Sequence, residues 1–143
     1  MPTLNPYLNF AGTTEEAFNF YKSVFGGEFS ILQRFRDMPE GGKLPKHEQD
    51  KIMHVSLPIG NGHVLMGTDT LESMGQRLIP GNNFYINIQP DTKEEAKRLF
   101  SGLSAEGKVE MPLQDASWGA YFGMFRDKFG IQWMINYMQQ KVG

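Results

Sequence analysis

The sequence predicts an α+β fold: two copies of one β-α-β-β-β module forming a curled mixed sheet around a cleft, with residues 1–143 as a single domain. Three observations predict it. A hexapeptide pattern occurs twice, a helix start follows each copy, and the extended segments behind each helix end in matching turns.

The first copy is Asn5-Pro6-Tyr7-Leu8-Asn9-Phe10 and the second is Asn83-Phe84-Tyr85-Ile86-Asn87-Ile88, both reading Asn-x-Tyr-aliphatic-Asn-apolar. Thr13-Thr14-Glu15-Glu16-Ala17 follows the first and Thr92-Lys93-Glu94-Glu95-Ala96 the second. Each fits a capping box, in which a Thr oxygen accepts a backbone N–H and the Glu three residues on reaches back. Apolar residues then recur at helical spacing, as Ala17, Phe18, Tyr21, Val24 and Phe25 and again as Ala96, Leu99, Phe100 and Leu103. Gly26-Gly27 is expected to end the first helix, and Gly107, in the left-handed conformation, the second.

Strands are expected near Phe29–Arg36, Ile52–Ile59 and His63–Thr68, with Gly60-Asn61-Gly62 as a hairpin turn. Their counterparts are Lys108–Leu113, Ala120–Arg126 and Ile131–Tyr137, with Asp127-Lys128-Phe129-Gly130 as the turn. The repeat thus covers about 1–72 and 80–140. Residues 37–51, with two prolines and Gly41-Gly42, are expected to be irregular, either a solvated loop or a lid.

Strand alternation sorts the side chains. Leu8, Phe10, Phe84, Ile86 and Ile88 are expected beneath the helices, as are Val55, Leu57 and Ile59. Asn5, Tyr7, Asn9, Asn83, Tyr85, Asn87, His54 and Ser56 then face the other way. Paired Asn and Tyr are orienting groups suited to a small-molecule pocket, although the outer face of an antiparallel sheet is also ordinarily polar.

A net charge of -2 with scattered Lys and Arg supplies no basic stripe for nucleic acid. The absence of cysteine excludes disulfides, thiolate metal sites and a cysteine nucleophile. With no apolar run of membrane-spanning length and no leader-like start, a cytoplasmic location and no membrane partner are expected. With 40% hydrophobic residues, including 11 Phe, the chain has the composition of a folded domain.

Longer stretches carry a family resemblance: Asn5-Pro-Tyr-Leu-Asn-Phe, Glu16-Ala-Phe-Asn-Phe-Tyr-Lys-Ser-Val-Phe-Gly-Gly-Glu28, Met53-His54, and above all Trp118-Gly-Ala-Tyr-Phe-Gly-Met-Phe-Arg-Asp-Lys-Phe-Gly-Ile-Gln-Trp-Met-Ile-Asn136. The chain resembles the vicinal oxygen chelate superfamily of glyoxalase I, bleomycin resistance proteins and extradiol dioxygenases, and within it the PhnB-like branch. The resemblance implies a homodimer and a cleft in which many members hold a divalent metal. Carried over position by position, the metal ligands fall on Asn5, Met66, Asn83 and Met134. Thioether and neutral amide are poor ligands for Zn, Fe(II), Mn or Ni, so neither metal nor other cofactor is expected. Relatives are sometimes labelled methyltransferases, but no glycine-rich strand-to-helix turn that would cradle such a cofactor is present.

His54, matched by a His in the branch, is the candidate catalytic acid or base. The candidate ligand-binding set is Tyr7, Asn9, His54, Met66, Tyr85, Asn87, Trp118 and Met134. Trp118 can stack on a ligand or serve as a core or dimer contact, whereas Trp133 belongs to the helix side. Met66 and Met134 are expected at matching positions as a soft floor. His47 and His63 are expected to be solvated. Asp69 and Glu110 are the carboxylates to watch, although strand-end acids are ordinarily solvated. Three functions remain open: a metal-free small-molecule binder, an enzyme using His54 alone or a displaced metal shared by His54 and Glu110, and a dimeric scaffold with a vestigial cleft.

Overall fold

The computed structural model describes residues 1–139; the last residue of the expected second repeat, 140, lies outside them. The chain divides into two compact units, Met1–Ile79 and Pro80 onward. The first contains β1 (Tyr7–Phe10), α1 (Thr14–Phe25), β2 (Ile31–Arg34), the single-turn α2 (Lys46–Gln49), β3 (Ile52–Gly60) and β4 (His63–Asp69). The second contains β5 (Ile86–Ile88), α3 (Lys93–Ser104), β6 (Lys108–Asp115), β7 (Ala120–Arg126) and β8 (Gln132–Met138). Their sheets run in the orders β1-β4-β3-β2 and β5-β8-β7-β6. In both, first and last strands pair parallel and the remaining pairs are antiparallel. The sequence repeat is therefore a repeat of fold, an α+β architecture of two mixed four-stranded sheets. No helix among the described residues is long and apolar enough to cross a membrane.

In the first unit α1 lays Ala17, Phe18 and Tyr21 on the buried strand residues Leu8, Phe10, Val55, Leu57 and Leu65. Phe18 and Tyr21 meet edge to face, centroids 5.5 Å apart. The Phe18 ring rests on Gly67, where a Cβ would come within 2.5 Å of it. Because a close-packed core has no room to absorb that atom, Gly67→Ala should lower stability by about 1–3 kcal/mol, read as the midpoint of urea unfolding. In the second unit Phe100 lies over Gly123 and packs edge to face on Phe125, 5.1 Å between centroids. Trp133 is buried, as the alternation predicts, and its indole N–H donates to Asp127 over 2.8 Å.

Four local expectations are corrected. Thr92 does cap α3, accepting from the Glu95 N–H at 3.1 Å, but the Glu95 carboxylate reaches back to the N–H of Asp91 at 3.3 Å. Thr13 makes no side-chain cap. Asp69 replaces it: Oδ1 accepts from the N–H groups of Gly12 (3.0 Å) and Thr14 (3.1 Å) and from the Thr14 hydroxyl (2.7 Å), and Oδ2 from the N–H of Ile52 (2.8 Å). A carboxylate satisfies several buried donors at once, which a hydroxyl cannot.

The left-handed residue after α3 is Glu106, with φ of 60°, and not Gly107. Gly107 is small because a Cβ there would strike the Arg126 carbonyl oxygen. Residues 37–51 are also more regular than expected. Short 3-10 turns at Phe35–Asp37 and Gly41–Lys43 precede α2, and the buried Glu48 accepts bonds from the Ser73 N–H (3.2 Å) and hydroxyl. Those bonds lower the Glu48 pKa from its ordinary value.

Phe84, expected beneath α3, is 62% exposed. The strand begins only at Ile86, and the Phe84 carbonyl accepts a bond from the Gln132 amide at 2.6 Å. Without strand geometry at residue 84, parity does not govern where its ring points.

Candidate ligand site

In β3, Val55 and Leu57 pass under α1, so His54 and Ser56 emerge on the opposite face of the first sheet. β1 sets Tyr7 beside Met66, and β3 sets Ser56 beside the same Met66. Asn9 lies opposite Thr68 on this face, and Gln33 opposite His54.

The result is a hydrogen-bonded row. The Tyr7 hydroxyl lies 2.9 Å from His54 Nδ1, and His54 Nε2 lies 2.8 Å from Ser56 Oγ. Both ring nitrogens are therefore partnered. A neutral imidazole has one donor and one acceptor, so a Tyr7 proton given to Nδ1 matches an Nε2–H given to Ser56. Partial burial raises the Tyr7 pKa above its usual value and keeps the phenol protonated at neutral pH. Tyr7 is 47% exposed and Ser56 only 4%, so the row runs from an accessible hydroxyl to a buried one. Ser56 is accordingly closed to attack on an external substrate, despite its hydroxyl–imidazole contact.

Of the predicted set, Tyr7, Asn9, His54 and Met66 thus share one face of the first unit. In the second unit Asn87 pairs with Met134, and Met134 with Met124. The expected matching of the two methionines is not kept by the register. Met66 stands beside the Tyr of its motif and Met134 beside the second Asn, two positions farther on.

Tyr85 donates to Glu110 at 2.8 Å, which raises the Tyr85 pKa because removing its proton would set two anions together. Glu110→Gln should bring the Tyr85 titration down toward that of a free tyrosine, measurable from the Tyr85 ring carbons by NMR. Trp118 lies in the turn before β7, 56% exposed, with its ring 5.3 Å from Phe122 and nearly perpendicular to it. It is not a core residue of this chain. His47 and His63 are exposed. Asp69 is buried and fully engaged, contrary to the expectation for a strand-end acid.

Two residues were not on the predicted list. Phe122 and Asn136 face each other across β7 and β8, and the buried Asn136 Oδ1 has no hydrogen-bond partner among the described residues. The signal was available in Asn136, two residues along the strand from Met134 and hence on its face.

The family pattern described as Glyoxalase/Bleomycin resistance protein/Dioxygenase superfamily matches residues 3–135. The chain belongs to this superfamily. Protein YjdN of Escherichia coli is 34% identical, the match covering 96% of this chain and 97% of that one. The crystal structure of protein PA1353 from Pseudomonas aeruginosa is 36% identical with a TM-score of 0.85, covering 98% of this chain and 100% of that one. A Bacillus cereus protein described as a putative 3-demethylubiquinone-9 3-methyltransferase, PhnB protein, is 26% identical with a TM-score of 0.74, covering 95% and 99%. These neighbours agree with the PhnB-like branch of the glyoxalase fold.

The divalent metal of many superfamily members can be tested against the donors present. Asn5 Oδ1 is already accepting the Val64 N–H at 3.0 Å, and Met66 and Met134 offer only thioether sulfur. Asn83 is an exposed neutral amide. Such a set does not fit a hard or borderline divalent ion. Among the described residues no three His, Asp or Glu side chains gather where they could share a metal.

Proposed function

We propose that this glyoxalase-superfamily protein binds a small molecule on the polar faces of its sheets without the metal usual at those positions. Tyr7 is the outermost contact of the first unit, and Asn87, Met134 and the Trp118–Phe122 pair provide the corresponding surface of the second. The observation that carries the reading is the occupation of both His54 nitrogens. A histidine held on each side presents its partner's hydroxyl, here that of Tyr7, and is set up to orient it rather than to exchange protons freely with a substrate. The Asn136 oxygen, unpartnered among the described residues, supports the same reading, since a buried acceptor of this kind can take a donor from a ligand.

The catalytic alternative, with His54 as acid or base, requires one of those two bonds to open so that a ring nitrogen reaches the substrate. A displaced metal shared with Glu110 would compete with the Tyr85 hydrogen bond to that carboxylate. Elemental analysis of protein purified without an affinity tag separates the readings. The expected content is below about a tenth of an equivalent of Zn, Fe, Mn or Ni. A stoichiometric metal that disappears in His54→Ala would overturn the metal-free reading. The homodimer and the cytosolic location belong to the same proposal, supported by the family resemblance and the cysteine-free composition. Sedimentation velocity should give twice the chain mass.

A further inference from the structure

We propose that the ligand of the second unit is a neutral, flat aromatic molecule that carries a hydrogen-bond donor at the edge of its ring. This occupant presupposes the small-molecule reading of the sheet faces and narrows it for the face of β5, β8, β7 and β6.

Three methionines lie in one row across that face. Register sets Met134 of β8 beside Met124 of β7 and Met124 beside Met111 of β6, with Asn87 of β5 completing the row. Met111 reaches it through a β-bulge. Val109 pairs with Phe125, which packs on Phe100 of α3, so simple alternation would send Met111 to the helix side as well. The extra residue between Val109 and Met111 sets Met111 against Met124 instead, a re-aiming that bulges perform beside binding sites. With strands about 4.8 Å apart, the row is a strip roughly 10 Å across, room for a small fused ring system. Met124 and Met134 are half-buried and Met111 is 41% exposed, so the thioethers remain open to a ligand. Polarizable sulfur favours contact with an aromatic ring.

The next row supplies a wall and an anchor. Phe122, two positions from Met124, faces Asn136, two positions from Met134, and the exposed Trp118 ring stands 5.3 Å from that of Phe122 at 69°. Asn136 Oδ1 is buried without a hydrogen-bond partner among the described residues. The terminal torsion of an Asn side chain is broad, so a rotation turns this oxygen onto the face without moving the strand. An acceptor that no protein donor serves selects a ligand that brings one.

Charge separates a neutral ligand from an ionic one. No side chain in either row is ionisable, whether Asn87 and the methionines or Asn136, Phe122 and the Gln114 that pairs with Phe122. On the far side of the methionines Lys108 pairs with Arg126, whose guanidinium is held by the Gly130 carbonyl and the Gln132 amide oxygen, while Lys108 itself is exposed. Glu110 is taken by the Tyr85 hydroxyl. A charged ligand lying on the two rows would shed water without meeting an opposite charge.

The test is an NMR titration of the full chain carrying methyl-labelled methionine. Indole should shift the Met111, Met124 and Met134 methyls saturably with a Kd of about 1 mM, the range for so small a ligand. N-methylindole keeps the rings without the donor, pyrrolidinone keeps a donor without the rings, and indole-5-carboxylate adds a charge. Each should bind at least about tenfold more weakly. Asn136→Leu should erase the difference between indole and N-methylindole, with an unfolding midpoint no lower than the parent's, because it removes an unserved acceptor. The probes are compared on the parent protein, so the outcome does not depend on that variant folding. If N-methylindole, pyrrolidinone or the carboxylate matches indole, or if other fragments move these methyls and indole does not, the ligand class is overturned while the small-molecule surface stands. If no fragment moves them, the small-molecule reading of this face falls too.

Discussion

Asp69→Ala should be the most destabilising single substitution in the first unit, lowering stability by about 4 kcal/mol and the midpoint of thermal unfolding by roughly 15 °C. Four bonds converge on this side chain, which is 3% exposed. Truncation leaves the buried N–H groups of Thr14 and Ile52 and the half-buried one of Gly12 without acceptors, and each orphaned donor costs about 1–3 kcal/mol. It also removes the side-chain acceptor that serves the start of α1, where Thr13 makes no cap.

Asp69→Asn discriminates between this account and simple loss of charge. An amide oxygen can still serve Gly12 and Thr14, but its NH2 then confronts the Ile52 N–H, donor against donor. The expected loss is about half that of alanine, roughly 2 kcal/mol. Amide exchange should locate the damage at the first turn of α1 and the start of β3. Equal, small losses in both variants would mean that Asp69 does not hold these elements together.

The second large effect concerns the sheet face. His54→Ala should abolish recognition at the Tyr7 end of the row, weakening any small molecule bound there at least about tenfold. The variant should still fold. The bonds lost within the chain are those of His54 with the Tyr7 and Ser56 hydroxyls, and the buried Ser56 hydroxyl left alone costs about 1–3 kcal/mol. Tyr7→Phe separates the binding role from the catalytic one. It deletes the exposed hydroxyl and leaves His54 Nδ1 free, so a binder loses affinity, whereas a protein in which His54 acts as a base gains an accessible ring nitrogen.

The parts of this molecule legible in the sequence are those governed by short-range periodicity. The Asn-x-Tyr motif, the helix spacing and the turn residues located the strands to within a residue or two at the ends, except β5, which begins three residues into its motif, and parity placed Leu8, Phe10, Val55 and Trp133 in the cores. The failures share a cause in contacts distant along the chain. Asp69 caps a helix whose first residue is 55 positions earlier, so the Thr13 motif looked sufficient where it was idle. Glu48 reaches Ser73, 25 residues on, and so organises a segment whose composition reads as loop. The offset between Met66 and Met134 arises from strand register, which the motif alone does not set.

The candidate site was legible to the same degree. Parity put His54, Ser56 and Tyr7 on one face, but their hydrogen bonding depends on β1, β3 and β4 pairing in one particular register. Glu110 was noticed only as an acid and Asn136 only as the end of the family-like stretch; strand parity gives the Asn136 face, but that its oxygen lacks a partner among the described residues is visible only once the neighbouring strands are in place.

The central claim is a small-molecule site on the Tyr7–His54–Ser56 face that needs no metal. Its most direct test is an NMR screen of drug-fragment mixtures against the full chain in excess EDTA, read at the Met66 methyl and the His54 and Ser56 amides. Fragments should shift these signals with the chelator present and cease to do so in His54→Ala. Fragments that bind there only after a divalent metal is restored, or that leave these three signals unmoved, would contradict it.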